Sequence, residues 1–269
     1  MKKLLLIILL TSIILSACSQ GAEENSWLSD LVGTSAPPTP TVTPTPQPKA
    51  RISLGEAHIL AGDYEAALNE FWTARAQSTD PEIIAAAQLG VGRVLLLQSK
   101  NSSAVEQLNW LLTNVPEGEI RNTAYFYMAE AYKKLGQYGH AAEAYGNYLR
   151  LEPGPLDSEI YEMQGDAYRD MGDHNSALTA YRASRERSAS GNTDSLDIKI
   201  AQELSSTGDD PAAINAYLLL YDTSTSDAVR AQVNLLLGRI YLRLNEPEQA
   251  YARFQSSVEN WNLAYACSG

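Results

Sequence analysis

The sequence predicts an all-α solenoid built from six helical hairpins. Three observations carry this. A small residue recurs at Gly55, Gly92, Ala129, Gly165, Ala201 and Gly238, each step 36 or 37 residues. An alanine recurs 12 residues after each, at Ala67, Ala104, Ala141, Ala177, Ala213 and Ala250. Four residues further on stands a large apolar side chain: Phe71, Leu108, Tyr145, Tyr181, Tyr217 or Phe254. Self-similarity at such a period marks stacked supersecondary units, each too small to bury its own apolar face.

The third unit, residues 124–153, shows the hairpin most clearly. Tyr125, Met128, Ala129 and Tyr132 fall at i, i+3, i+4 and i+7, one face of a helix. Gly136 ends that helix, because glycine takes the left-handed conformation without a Cβ penalty. Ala141, Tyr145 and Tyr148 mark the inner face of the second helix, and Pro153 closes it. Ala129 and Ala141 are expected to face each other and bring the two axes close, with Tyr132 and Tyr145 packed on either side of the crossing. Between the helices of the other units lie Gly62-Asp63, Ser99-Lys100, Gly172-Asp173, Gly208-Asp209 and Asn245-Glu246. Asp63, Asp173 and Asp209 read as caps of the second helices.

The order small residue, tyrosine, alanine, aromatic, proline resembles the tetratricopeptide repeat over residues 49–262. Pro81, Pro116 and Pro153 supply the terminal proline in the first three units; the other three lack it, and His58, Leu95 and Leu204 stand where the family has tyrosine. The resemblance implies a right-handed superhelix with an inner groove for peptides or partner proteins. It also implies that the groove is lined by the first-helix residues three before and one after the small residue. Those are Leu89 and Arg93, Phe126 and Glu130, Glu162 and Asp166, and Arg239 with Leu235; Ile52, Glu56, Ile198 and Gln202 complete the series. Lysine and asparagine are absent from these positions, so the carboxylate clamp of chaperone-binding members is not expected.

Residues 1–17 read as an export signal. Lys2 and Lys3 precede an apolar run from Leu4 to Leu15, well short of the ~20 residues a membrane-spanning helix needs. Leu15-Ser16-Ala17-Cys18 resembles the bacterial lipobox, which implies cleavage before Cys18 and acylation of that cysteine. Two or more acyl chains give stable anchoring where one does not. Residues 18–48 then form a tether, and Pro37–Pro48 is a Thr/Pro stretch that favours extended polyproline II. Trp27, Leu28, Leu31 and Val32 make a small apolar island before it. The expected location is extracytoplasmic, on a bacterial membrane. With Cys18 acylated, Cys267 in the tail of residues 263–269 has no partner for a disulfide.

The net charge of -12 disfavours nucleic acid and anionic head groups as partners. Chemistry is thin. The three histidines, His58 on a buried-type position and His140 and His174 beside turns, lack metal-ligand spacing. No phosphate-binding loop, nucleophile elbow or Cys-x-x-Cys occurs, and no catalytic residue, metal or cofactor is expected. The remaining expectation is a non-catalytic scaffold that binds a protein or peptide in the cell envelope. The last helix is expected to end near Asn260, leaving too little chain for a capping helix, so that a partner, a second copy or further chain covers the end. Residues 250–265 also resemble the helical region of lipoprotein-type soluble lytic transglycosylases. That similarity implies, as the alternative expectation, the N-terminal scaffold portion of a split or truncated enzyme of that kind working with peptidoglycan machinery, although their catalytic Glu-Ser pair occurs nowhere in this sequence. An envelope assembly factor is a third expectation, by analogy of fold alone.

Overall fold

The computed structural model describes residues 46–116, 118–150, 154–189 and 193–266, and every regular element among them is helical. The helices pair in chain order. Unit one holds α1 (Pro48–Ala61) and α2 (Tyr64–Gln77), and unit two holds α3 (Pro81–Leu97) and α4 (Asn101–Asn114). Unit three holds α5 (Glu119–Lys134) and α6 (Tyr138–Leu149), and unit four holds α7 (Asp157–Met171) and α8 (His174–Arg187). Unit five holds α9 (Asp194–Ser206) and α10 (Asp210–Thr223), and unit six holds α11 (Asp227–Arg243) and α12 (Pro247–Ala266). Each helix packs on its neighbours in sequence, and the first helices of adjacent units touch directly at α1–α3, α3–α5 and α9–α11. This is the all-α solenoid that the period implies.

The six hairpin turns are the same turn. In each, a backbone N–H reaches back five residues to a carbonyl at 2.9 Å, from Asp63 to His58 and from Lys100 to Leu95 through to Glu246 to Tyr241. That bond needs one left-handed residue. Gly136 supplies it at φ 71, while Ser99 and Asn245 take φ 60 in the turns that lack glycine. Asp63, Asp173 and Asp209 then cap the second helices, each accepting at 3.1 Å from the N–H three residues on. Lys100 and Gln137 occupy the same position without a side-chain cap. The prolines divide in role. Pro116 follows the end of α4, but Pro81 opens α3 at its first turn, where the missing N–H costs nothing. Pro153 lies outside the described residues.

The hairpin crossing seats a large side chain against the small residue. In the four units with glycine, a Cβ built on Gly55, Gly92, Gly165 or Gly238 would strike the side chain 16 residues later: Phe71, Leu108, Tyr181 or Phe254. The small residue makes room for a large one. Phe71 is held on two sides, because Gly90 of the next unit meets the same ring. In unit three, Tyr132 and Tyr145 pack in the same core cluster as Ala129 and Ala141. The Tyr132 ring lies 5.0 Å from His140, and Tyr145 is fully buried beside Phe126. His58, expected inside, is half-exposed beside Asp63.

The core is a relay rather than a centre. One cluster runs from Ile59 to Ala131, the next from Leu108 to Ala167, and the last from Ala177 to Ala250. Tyr127 packs against the first two and Tyr168 against the last two. The final helix is longer than expected. From Asn260 to Ala266 the chain has no glycine or proline to stop it, so α12 continues as 20 residues. No helix among the described residues is long and apolar enough to cross a membrane. Cys18, the tether and Cys267 lie outside the described residues.

Candidate binding groove

The residues one place after each small residue sit on the first helices, directly above the large side chains of the second. That stacking fixes their chemistry. In units three and four the second-helix tyrosine reaches up to a carboxylate: Tyr145 donates to Glu130, and Tyr181 donates to Asp166 Oδ1 at 2.7 Å. Where the second helix carries Phe71 or Leu108, no hydroxyl is available and the charges pair sideways. Arg93 Nη1 lies 2.6 Å from Glu56 Oε2 of the preceding unit.

Lys199 joins units four and five. Its Nζ lies 2.8 Å from Glu162 Oε1 and 2.7 Å from Asp166 Oδ1. Arg169 adds a third partner to Asp166 at 3.0 Å. Burial opposes the Asp166 charge, but hydrogen bonds from Lys199 and Tyr181 and the charges of Lys199 and Arg169 outweigh it and hold the carboxyl below the ordinary range. Burial first, and then the accepting carboxylates Asp166 and Glu130, push the Tyr181 and Tyr145 hydroxyls well above the usual tyrosine value. These phenols remain donors at any physiological pH.

The expected groove residues therefore fall into three kinds. Glu130, Glu162, Asp166 and Arg93 are engaged with neighbours of their own chain, Glu130 also with Lys133 at 3.1 Å. Leu89 and Phe126 are half-buried, and the Phe126 ring meets Tyr127 edge-on at 5.5 Å. Arg239 is exposed and has no hydrogen bond or ion pair among the described residues. Ile198 is a correction. It is 7% exposed and belongs to the last core cluster, because neighbouring apolar side chains of units four to six close over it.

Arg239 opens onto a cavity of about 530 Å³, lined also by Arg169, His174, Gln202, Glu203, Tyr217 and Arg243. Glu203 is 2% exposed, and its Oε2 lies 2.7 Å from His174 Nδ1. Arg243 is held by Asp210 and Ser205. Lys199, His174, Glu203 and Arg243 escaped the sequence reading. Lys199 lies off the repeat register, since the position equivalent to Glu162 is Ile198, 36 residues on, and no recurring position pointed to it. Among the described residues, no group of three His, Cys, Asp or Glu could hold a metal ion.

Residues 98–206 match the sequence model of the tetratricopeptide repeat-like domain. No curated protein sequence matches the chain significantly. Among solved structures, the fold is similar to the C-terminal part of a tetratricopeptide repeat-containing protein from Cytophaga hutchinsonii. That likeness has 14% identity, covers 79% of this chain and 83% of that one, and has a TM-score of 0.64. It is also similar to MamA of AMB-1, at 15% identity over 65% of this chain and 91% of that one, TM-score 0.52. YrrB, a repeat protein with an unusual peptide-binding site, matches at 15% identity over 68% of this chain and 91% of that one, TM-score 0.51. Likeness at these identities is one of fold, and the fold is an all-α solenoid of tetratricopeptide-type hairpins.

Proposed function

We propose that this chain is a non-catalytic scaffold, anchored to a bacterial membrane by lipid on Cys18, whose first-helix groove holds a protein or peptide partner. The observation that supports the binding role is the stack of helical hairpins and the state of the charges on its first helices. First helices of adjacent units touch at α1–α3, α3–α5 and α9–α11, most of the charges at the expected groove positions are locked by their own chain, and Phe126, Leu235 and Arg239 are left to meet a ligand. The likeness to YrrB supports a peptide as one form of partner. The lipid anchor rests on Leu15-Ser16-Ala17-Cys18 alone, and the link to peptidoglycan-cleaving enzymes gains nothing from the similarities above.

A photoreactive amino acid placed at Leu235 in the groove, or at Leu219 on the second-helix side, tests the binding role in the producing cell. Leu235 is 39% exposed and Leu219 61%, so both are accessible. Cross-links to a discrete protein from Leu235 and not from Leu219 are expected; equal cross-linking from both sites refutes a groove. For the anchor, Cys18→Ser is expected to move the protein from the membrane to the soluble fraction. Retention of the variant in the membrane sinks that part of the reading.

A further inference from the structure

We infer that the crevice between α7 and α8, on the side of unit four turned away from the groove, is a binding site for a neutral sugar ring. Tyr161, Gln164 and Tyr168 line it from α7, and Asn175, Ala180 and Ala183 are among the residues that line it from α8. By helical spacing the three α7 residues lie opposite Glu162 and Asp166, the groove positions. The inference therefore stands apart from the groove reading. Two alanines open the crevice. Gln88 of unit two holds the place that Tyr161 holds in unit four, and there it is sealed. Gln88 is fully buried, donates to Gln107 at 2.9 Å and accepts at 2.8 Å from Arg75, which lies 3.9 Å over Trp110. Unit six seals the same place, where Arg253 reaches the buried Asn234 at 3.4 Å. Counted along the repeat, Gln107 and Arg253 correspond to Ala180, and Trp110 corresponds to Ala183. Methyl groups cannot close the gap, so Tyr161 is left half-buried beside an open volume of about 320 Å³.

The lining selects the ligand. No described residue that lines the crevice is charged, so an ion entering it would give up water without gaining a counter-charge. The corresponding crevice of unit five differs, with Arg182, Arg185, Glu186, Asp194 and Asp197 around it. In unit four the hydroxyls of Tyr161 and Tyr168 and the carboxamide of Asn175 have no hydrogen-bond partner among the described residues. Phenols and carboxamides both donate and accept, which suits a ligand whose own hydroxyls do the same. The two tyrosines stand two turns apart on one face, and their rings offer apolar surface to the C–H face of a pyranose. Arg187 steadies the Tyr161 ring, with its guanidinium 4.6 Å from the ring centre. Gln164 is placed in advance of binding, because its Nε2 donates at 3.0 Å to the Ala142 carbonyl of unit three. A volume of about 320 Å³ sits at the small end of ligand sites and suits one ring with its substituents.

The test is saturation-transfer NMR on the full chain, in a detergent without a sugar head group. Cellotriose, chitotriose and maltotriose serve as neutral probes. At least one is expected to bind at millimolar concentration, with the transfer concentrated in one ring. Ala183→Trp restores the side chain that fills this place in unit two, and is expected to abolish binding. Asn175→Ala, on the exposed rim, is expected to weaken it about fivefold through loss of a hydrogen bond. Leu219→Trp, the matching change in unit five, is expected to leave it within twofold. Thermal midpoints identify the variants that fold, and the exposed Asn175→Ala decides the matter if Ala183→Trp does not. Absence of transfer to all three sugars overturns the site. Binding that survives in folded Ala183→Trp, or that Asn175→Ala leaves unmoved, overturns it as well. Equal binding of a blocked serine–alanine tripeptide through the same side chains overturns the sugar in favour of peptide. Cross-linking at Leu235 reports on the groove alone, so the two readings fail separately.

Discussion

Tyr181 donates its hydroxyl proton to Asp166 Oδ1 at 2.7 Å, tying the first helix of unit four to the second. The ring fills the space left by Gly165, so Tyr181→Phe removes the bond while keeping the packing. Hydrogen bonds to charged groups contribute roughly 1.5–3 kcal/mol, and Asp166 keeps Lys199 and Arg169, so a loss of about 1.5 kcal/mol is expected by urea denaturation. The pH dependence has a definite sign. The folded carboxyl titrates below the unfolded value of about 3.9, so its stabilisation is present above that pH and fades as pH falls through the folded value. Wild-type protein is therefore expected to lose more stability between about pH 5 and pH 2 than Asp166→Asn does. Parallel acid limbs for the two proteins contradict this.

Phe71 is wedged between Gly55 and Gly90, and that wedge sets the spacing of the first two units. A Cβ on Gly90 would lie 2.6 Å from the ring, and retreat toward Gly55 is closed because the ring is equally tight there. Gly90→Ala gains up to ~1 kcal/mol in helix propensity but overpacks a fully buried aromatic, which costs about 1–3 kcal/mol. Net destabilisation is expected, relieved when Phe71→Leu is added. A stabilised single variant argues that the units slide apart freely.

The turns make the opposite prediction. Gln137 sits at φ -90, ψ 63, close to the φ -88, ψ 65 of Asp209, yet it offers no side-chain acceptor to its helix. Gln137→Asp places a cap in geometry already suited to it, and a gain of about 0.5–1 kcal/mol is expected. Asp173→Ala should lose about as much, and the two changes should add because they lie in different turns. Thermal unfolding measures both, and a neutral Gln137→Asp contradicts the capping account.

The period was legible in the sequence because each hairpin solves the same local problem: a left-handed turn residue, a small residue and a large one 16 places later. Those requirements are local, so they leave residues at fixed spacing. The spacing did not by itself show that the glycines at the small position are filled by the side chain 16 residues on. Contacts between units were not legible. Lys199 chooses Glu162 and Asp166, 37 and 33 residues away, by the angle at which units stack, and no single helix records that angle. Gly90 falls outside the recurring positions, and only the neighbouring ring explains it. Arg239 was named from the repeat register, but its lack of a partner goes with Gln202 one unit earlier, where Arg93 finds Glu56.

The pair at the floor of the cavity gives the last prediction. Glu203 is almost wholly buried, and His174, 29 residues earlier and 38% exposed, is its hydrogen-bonded partner. Removing the partner leaves a buried acceptor unsatisfied, which costs about 1–3 kcal/mol and more for a charged group. His174→Ala is accordingly expected to destabilise the protein by at least about 2 kcal/mol at neutral pH, although the histidine itself lies near the surface. Glu203→Gln in the same background removes the charge that lacks a partner, and should recover part of the loss. A double-mutant cycle on urea unfolding separates the two effects. If His174→Ala proves neutral, Glu203 is served by water, and the cavity floor is wetter than its burial implies.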